Sequence, residues 1–255
     1  MQYFDTHTHL TDERFDPDRE ALVASLPDRG AALLLDVACA AEDFEKTLAL
    51  CARYDFIYGA YGVHPHYASA PGGGWERALR AALSDKKAVV LGEIGLDYHY
   101  DFSQKEDQKR LFADQLYMAR ELDLPVVLHI REAFGDCMDI LRAHKAGLRG
   151  VMHCFSGSVE TARECLDLGL YIAFGGAVTF QNAKKPLEAA AFVPADRLLV
   201  ETDCPYMTPV PHRGKRNDPS FVPLTLAALA QARGTDAETL ACVTMENGKK
   251  LFGIM

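Results

Sequence analysis

The amino-acid sequence predicts an α/β fold, a (β/α)8 barrel (TIM barrel) that forms a single domain over residues 1–255 with an extra C-terminal helix. Eight short apolar runs rich in β-branched residues alternate with longer amphipathic stretches, which is the pattern of repeated βα units. The length of 255 residues suits one such barrel. No G-x-G-x-x-G motif follows the first apolar run, which disfavours an open doubly wound sheet.

The eight apolar runs are the predicted strands. Pro125 stands at the head of the fifth run, before any ladder hydrogen bond is needed there. In chain order the predicted strands are Tyr3–Thr6, Ala32–Val37, Ile57–Gly62, Ala88–Glu93, Val126–His129, Gly150–His153, Leu170–Phe174 and Leu198–Glu201.

The amphipathic stretches between these runs are the predicted helices. Gly30, Gly147 and Gly169 each stand just beyond one of them, where a left-handed residue ends a helix, and Ser158 is a candidate N-cap. The predicted helices are Asp18–Asp28, Ala41–Arg53, Trp75–Ser84, Gln104–Leu122, Phe134–His144, Val159–Asp167 and Lys184–Ala191, followed after the last strand by Phe221–Ala232 and Asp236–Leu251.

The composition is that of a soluble globular enzyme. With 27 basic and 36 acidic side chains the net charge is −9, which excludes a broadly basic nucleic-acid coat protein but not a local basic patch. Seven cysteines without a C-x-x-C pair favour a reducing compartment over a disulfide framework. No signal-peptide pattern and no run of about 18 apolar residues is visible, so we expect a cytoplasmic protein without a membrane span.

Potential metal ligands stand at the carboxyl ends of five predicted strands, where the active sites of (β/α)8 barrels form. Four imidazoles and two carboxylates exceed what one catalytic zinc ion uses, but they suit two divalent ions that share a carboxylate. Glu93 is the natural bridge, since its strand lies between those that carry the two histidine pairs. The four histidines are His7, His9, His129 and His153, and the carboxylates available at the strand ends include Glu93 and, after the eighth strand, Glu201 and Asp203.

The ligand types also limit the choice of metal. Imidazole with carboxylate favours zinc, manganese or nickel over calcium. Magnesium prefers oxygen ligands, so the histidines alone do not argue for it. We therefore predict two divalent metal ions as cofactors, with zinc, manganese, nickel and magnesium as the candidates.

Six segments of the chain, in order, resemble the TatD family of metal-dependent deoxyribonucleases, within the amidohydrolase superfamily. The resemblance covers essentially the whole sequence, and a stretch at residues 213–217 and Glu246-Asn247 resemble the family as well. The six segments are His7-Thr8-His9, Gly62-Val63-His64-Pro65-His66, Gly92-Glu93-Ile94-Gly95-Leu96-Asp97-Tyr98, Leu128-His129-Ile130-Arg131, His153-Cys154-Phe155-Ser156-Gly157 and Glu201-Thr202-Asp203-Cys204-Pro205-Tyr206.

The resemblance implies a (β/α)8 fold and hydrolysis of nucleic-acid phosphodiesters, commonly as a 3′→5′ exonuclease. It also implies how the ligands are divided between the two metal ions. His7, His9, Glu93 and Asp203 would surround one ion, and Glu93, His129 and His153 would surround the other.

Two acidic residues are the predicted catalytic groups. Glu93 would hold both ions, and Asp203 would orient the attacking water or take its proton, with a pure ligand role for Asp203 as the alternative. His64 would reach a substrate phosphate or, alternatively, orient a metal ligand. Arg131 would bind a phosphate as a bidentate fork, against the alternative of a salt bridge to an acidic neighbour, Glu132 or Asp97.

The predicted substrate is DNA, as single strands or short ends, because a net charge of −9 argues against long duplex binding. Arg213 lies in the one concentrated basic run and would steer phosphates. Tyr98, Phe155, Phe180 and Tyr206 are candidate stacking surfaces for bases. Two alternatives remain: a two-metal hydrolase of an amide or aminoacyl-tRNA ester, and a non-catalytic metal-binding scaffold, which the intact ligand set disfavours.

Overall fold

The computed structural model describes all 255 residues, and its eight strands are parallel and follow one another in chain order in one sheet. This order is the one that successive right-handed βα units produce. The strands are β1 Tyr3–Thr8, β2 Ala31–Ala38, β3 Ile57–Tyr61, β4 Ala88–Asp97, β5 Val126–Arg131, β6 Gly150–Met152, β7 Tyr171–Phe174 and β8 Leu198–Val200.

Helices separate the strands, and two further helices follow β8. None of them is both long and apolar enough to cross a membrane. The helices are α1 Arg19–Ser25, α2 Phe44–Arg53, α3 Trp75–Ala82, α4 Lys105–Glu121, α5 Phe134–Ala143, α6 Val159–Asp167, α7 Lys184–Phe192, α8 Val222–Arg233 and α9 Ala237–Phe252.

The chain divides into two compact units, and the first comprises residues 1–36, 153–167 and 171–255. Within it, β1 pairs in parallel with β2, and β7 pairs with β8. The segment after β8 also pairs with the end of β1, because the Asp203 amide donates to the His7 carbonyl at 3.0 Å and the His9 amide to the Cys204 carbonyl at 2.9 Å. The C-terminal helix is fixed to β8 by Asn247, whose Nδ2 donates to the Leu198 carbonyl at 2.9 Å.

The second unit comprises residues 37–152 and 168–170 and contains the pairs β3–β4, β4–β5 and β5–β6. Helix α4 holds the ends of two of these strands with buried glutamines. The Gln115 side chain accepts from the Val63 amide at 2.7 Å and donates to the Val63 carbonyl at 2.9 Å. Gln108 does the same for Asp97, at 2.8 and 2.9 Å. Each amide side chain thus completes the backbone hydrogen bonding where a strand ends.

Most predicted boundaries shift by up to three residues, and two of the differences have a clear cause. Strand β4 continues four residues beyond Glu93, because residues 94–97 pair with residues 128–131 of β5. Glu93 therefore lies inside a strand and not at its end. The predicted helix Asp18–Asp28 ends at Ser25 and is followed by a 3-10 turn at Pro27–Arg29, since Pro27 has no amide hydrogen with which to continue the helix.

Candidate metal centre

In the first unit the structure brings together four predicted ligands, which we call the first cluster: His7, His9, His153 and Asp203. His7 is in β1, His9 follows that strand, His153 follows β6 and Asp203 follows β8. His7 and His9 do share a face, with Nε2 atoms 3.1 Å apart. The His153 ring stacks on the His7 ring at a centroid distance of 3.9 Å.

The spacing of the donor atoms in the first cluster fits a metal ion. Asp203 Oδ1 lies 3.4 Å from His9 Nε2 and 3.9 Å from His7 Nε2. Ligands held at about 2.0 Å in a tetrahedron stand about 3.3 Å from one another, so these distances match one shared cation. His7, His153 and Asp203 can each offer a ligand atom within 4.8 Å of the others.

The surroundings keep Asp203 ionised. Burial alone would raise the pKa of its carboxyl group, but the hydrogen bond from His9 and the nearby imidazoles outweigh this and hold the pKa below its usual value. Its backbone is held at a φ of 57°, in the left-handed region that aspartate tolerates better than most residues. The carboxylate is therefore an anionic acceptor beside the two imidazoles.

Glu201 orients His153, a role that the sequence prediction did not assign. Its Oε1 lies 3.1 Å from His153 Nδ1 and also accepts from the Cys154 amide at 2.6 Å. An imidazole that donates from Nδ1 to a carboxylate is left with Nε2 as its ligand atom, which is the usual arrangement behind a metal-binding histidine. The available signal was that Glu201 stands two residues before the predicted ligand Asp203, at the end of the eighth predicted strand.

In the second unit a second cluster is formed by Glu93, His129 and His64, whose ligand atoms also lie within 4.8 Å of one another. His129 Nδ1 is 2.6 Å from Glu93 Oε1, and His64 Nε2 is 3.7 Å from the same oxygen. Cys39 Sγ lies 3.8 Å from the other Glu93 oxygen, a contact that the sequence prediction missed because cysteine at that position follows no ligand pattern.

Asp97 supports the second cluster as Glu201 supports the first. Its Oδ2 lies 3.0 Å from His129 Nε2 and 3.0 Å from His66 Nε2. Burial opposes ionisation of Asp97, but hydrogen bonds from His129, the Tyr100 amide and His66 outweigh it, so its pKa lies well below the usual value. With Nε2 directed to Asp97, His129 would offer Nδ1 to a cation beside Glu93.

His64 is arranged as a hydrogen-bond donor. Burial, with the charge of the neighbouring His129, lowers its pKa well below 6.5, so the ring is neutral. Its Nδ1 accepts from the His66 amide at 3.2 Å, which places the proton on Nε2. A protonated nitrogen donates to an oxygen and does not ligate a metal.

The two predicted phosphate-binding arginines lie in different units. The Arg131 guanidinium lies over the Tyr100 ring at 4.8 Å and takes neither predicted salt bridge, since Glu132 pairs with His99 and Asp97 with imidazoles. Arg213 is exposed, with its guanidinium 3.9 Å from the centre of the Phe180 ring. Among the predicted stacking residues, Phe155 is a core residue, only 6% exposed, that packs on Phe174.

Comparison with known proteins identifies the family to which the chain belongs. The family model described as TatD related DNase matches residues 4–253. The chain is 42% identical to the uncharacterized metal-dependent hydrolase YabD of Bacillus subtilis over 98% of this chain and 99% of that one. It is 37% identical to the 3′-5′ ssDNA/RNA exonuclease TatD of Cronobacter sakazakii, over 98% and 97% of the two chains.

A solved structure agrees with these matches. The crystal structure of YjjV, a TatD homologue from Escherichia coli, aligns with a TM-score of 0.93 at 33% identity, over 99% of this chain and 98% of that one. The predicted (β/α)8 barrel is thereby confirmed. Organophosphorus hydrolase is also similar, with a TM-score of 0.60 at 16% identity, which concerns the fold alone. With nearly its whole length matched, the chain belongs to the TatD family of metal-dependent hydrolases.

Proposed function

We propose that this protein is a deoxyribonuclease that hydrolyses phosphodiester bonds of single-stranded DNA or of short DNA ends, stepwise from the 3′ end. The observation that carries the proposal is Arg131. It stands two residues after the candidate ligand His129, and no acidic side chain takes up its guanidinium. A planar fork of donors beside a cluster of metal-ligating groups suits the anionic oxygens of a phosphodiester.

The candidate metal ligands divide between the two clusters. The family resemblance implied that His153 holds the second ion, but its ring stacks on His7 at 3.9 Å, so the proposal assigns it to the first. His7, His9, His153 and Asp203 would hold one divalent cation and Glu93 with His129 the other, while the predicted sharing of Glu93 by both ions is part of the proposal. Divalent cations in such sites activate water and neutralise charge on the phosphate oxygens. The candidate cations are zinc, manganese, nickel and magnesium, and reconstitution with one metal at a time identifies the active one.

The protein's own groups supply the remaining steps. His64 would donate its Nε2 proton to a phosphate oxygen, and Arg131 would bind a second one. Asp203, ionised and next to His9, would orient the attacking water or take its proton. Arg213 would attract the strand electrostatically.

A cytoplasmic location, predicted from the cysteine pattern, belongs to the same proposal.

The relatives support this choice of bond. The Cronobacter sakazakii protein is named a 3′-5′ exonuclease for single-stranded DNA and RNA. The amide or aminoacyl-ester alternative would use the same activated water, but it gives Arg131 and Arg213 no phosphate to bind at the scissile bond.

The test is reconstitution of metal-stripped protein with one metal at a time, followed by incubation with single-stranded DNA labelled at either end. We expect stepwise shortening from the 3′ end and its loss in Glu93→Gln. Glu188→Gln, a change at an exposed carboxylate on α7, is the matched control. Inertness toward DNA with every metal, together with cleavage of an aminoacyl ester or an amide, would replace the proposal with the alternative.

A further inference from the structure

Two aromatic rings are exposed on the segment between β4 and α4. Tyr100 and Phe102 stack in parallel, with centroids 5.2 Å apart and an interplanar angle of 7°. They are 41% and 65% exposed. Single exposed apolar residues are ordinary, but two stacked rings that are both this exposed offer aromatic surface to water, which suits a ligand with a π-face. We call this pair the aromatic platform.

The aromatic platform is continuous with the second cluster. The His66 ring contacts Tyr100 edge-on at 5.4 Å and Phe102 at 4.9 Å. The same ring is hydrogen-bonded through Nε2 to Asp97, which in turn holds His129. Only His66 and Asp97 would therefore separate a base on the platform from the candidate metal ligand His129.

The platform is also fixed in place and lies beside an arginine. Asp97 Oδ1 accepts from the Tyr100 amide at 3.1 Å, and the Ser103 hydroxyl donates to the His66 carbonyl at 2.8 Å, so the segment is tied at both ends. Arg131 lies over the Tyr100 ring at 4.8 Å. An aromatic surface beside a guanidinium combines base stacking with phosphate attraction, as in proteins that bind single-stranded nucleic acid.

We propose that Tyr100 and Phe102 bind an unstacked nucleobase of the single-stranded substrate and thereby make the enzyme prefer free strands over duplex. This inference rests on the proposed function. Paired bases are already stacked on their neighbours, so only an unpaired base can offer its face to the platform. The platform reads no base identity, because every base has a π-face.

The first experiment measures binding without chemistry. In Phe102→Trp the new indole replaces an exposed ring, and the natural protein has one other tryptophan, Trp75. We expect single-stranded DNA to quench the additional emission of metal-free Phe102→Trp relative to wild type. Much weaker quenching is expected from the same strand with abasic terminal positions. Equal quenching by intact and abasic strands, or by duplex, would overturn the proposal.

The second experiment measures turnover. We expect Phe102→Ala and Tyr100→Ala to raise KM for single-stranded DNA by roughly 5- to 150-fold, the range given by loss of one stacked base, with little change in kcat. Tyr117→Ala is the matched control, since Tyr117 is also exposed, at 56%, and lies under an arginine, Arg120. On abasic ends the wild type and Phe102→Ala should behave alike.

The two proposals fail in different ways. Active protein whose KM is unchanged in both platform variants would refute the platform and leave the nuclease proposal standing. Metal-reconstituted protein that never cleaves DNA, but whose Phe102→Trp emission is quenched by single strands and not by abasic ones, would refute the nuclease proposal and leave the platform standing.

Discussion

Asp97 and His129 are held together across the β4–β5 pair by a contact of 3.0 Å between Asp97 Oδ2 and His129 Nε2. The other nitrogen of the same ring faces Glu93 at 2.6 Å. The His129 imidazole thus lies between two carboxylates. Asp97 fixes the orientation of the ring, and Glu93 would bind the same cation as His129 Nδ1. The tautomer that a metal requires is set by a residue that would not touch the metal.

Asp97→Asn should therefore weaken metal binding without changing the conformation of the loop that follows β4. The amide oxygen of asparagine still accepts from the His99 and Tyr100 amides, but it lacks the charge that holds the His129 proton on Nε2. We expect metal affinity to fall by about 10- to 100-fold. Competition with a chelating dye measures the change. Glu132→Gln, which alters a carboxylate paired with exposed His99, is the control and should leave affinity unchanged.

Gln115→Leu should destabilise the fold. The side chain is fully buried and satisfies both the amide and the carbonyl of Val63, next to His64. Leucine would leave two buried backbone groups without partners, at about 1–3 kcal/mol each, so we expect the free energy of unfolding to fall by roughly 2–6 kcal/mol. Urea denaturation measures it. Gln231→Leu, at an exposed position of α8, should change it by no more than about 0.5 kcal/mol, and equal effects would contradict the prediction.

The sequence predicts the elements of this fold because a parallel strand is buried on both faces and is therefore a short apolar run. Leu198–Val200, which forms β8, is an example. It also places His7 and Asp203 correctly at strand ends, since the carboxyl ends of parallel strands meet. The tautomers of His129 and His153 could not be predicted, because each depends on a carboxylate far along the chain.

Other features left no periodic signal at all. The buried glutamines of α4 look like polar surface residues in the sequence, and only the structure shows that they complete the hydrogen bonds of two strand ends. Tyr100 and Phe102 lie in a loop, where exposed aromatic residues follow no pattern. Tyr98 was predicted as a stacking residue instead, but its hydroxyl is engaged with Asp136 at 2.7 Å.

Arg213→Ala should weaken substrate capture more than chemistry. The guanidinium is exposed and lies over Phe180, so it can attract a substrate phosphate and bind it. We expect KM for single-stranded DNA to rise at low salt with kcat unchanged. The slope of log KM against log salt should fall by about 0.7, the value for one phosphate contact on a single strand. Arg197→Ala, at an arginine that already pairs with Asp196, is the control, and an unchanged slope in Arg213→Ala would exclude the phosphate contact.

Metal binding should be visible in stability alone, because a cation that binds only the folded chain stabilises it by mass action. At a metal concentration of 100 Kd the gain is about 2.7 kcal/mol per site, which for a chain of this length raises Tm by several degrees. We expect metal-stripped wild type to take up two ions. His7→Asn and His129→Asn should each lose one ion and part of the Tm rise, since they remove a donor from the first and second cluster, respectively. His144→Asn, at a histidine just after α5 and in neither cluster, should behave as wild type. A full Tm rise and two bound ions in both cluster variants would show that the imidazoles are not the ligands.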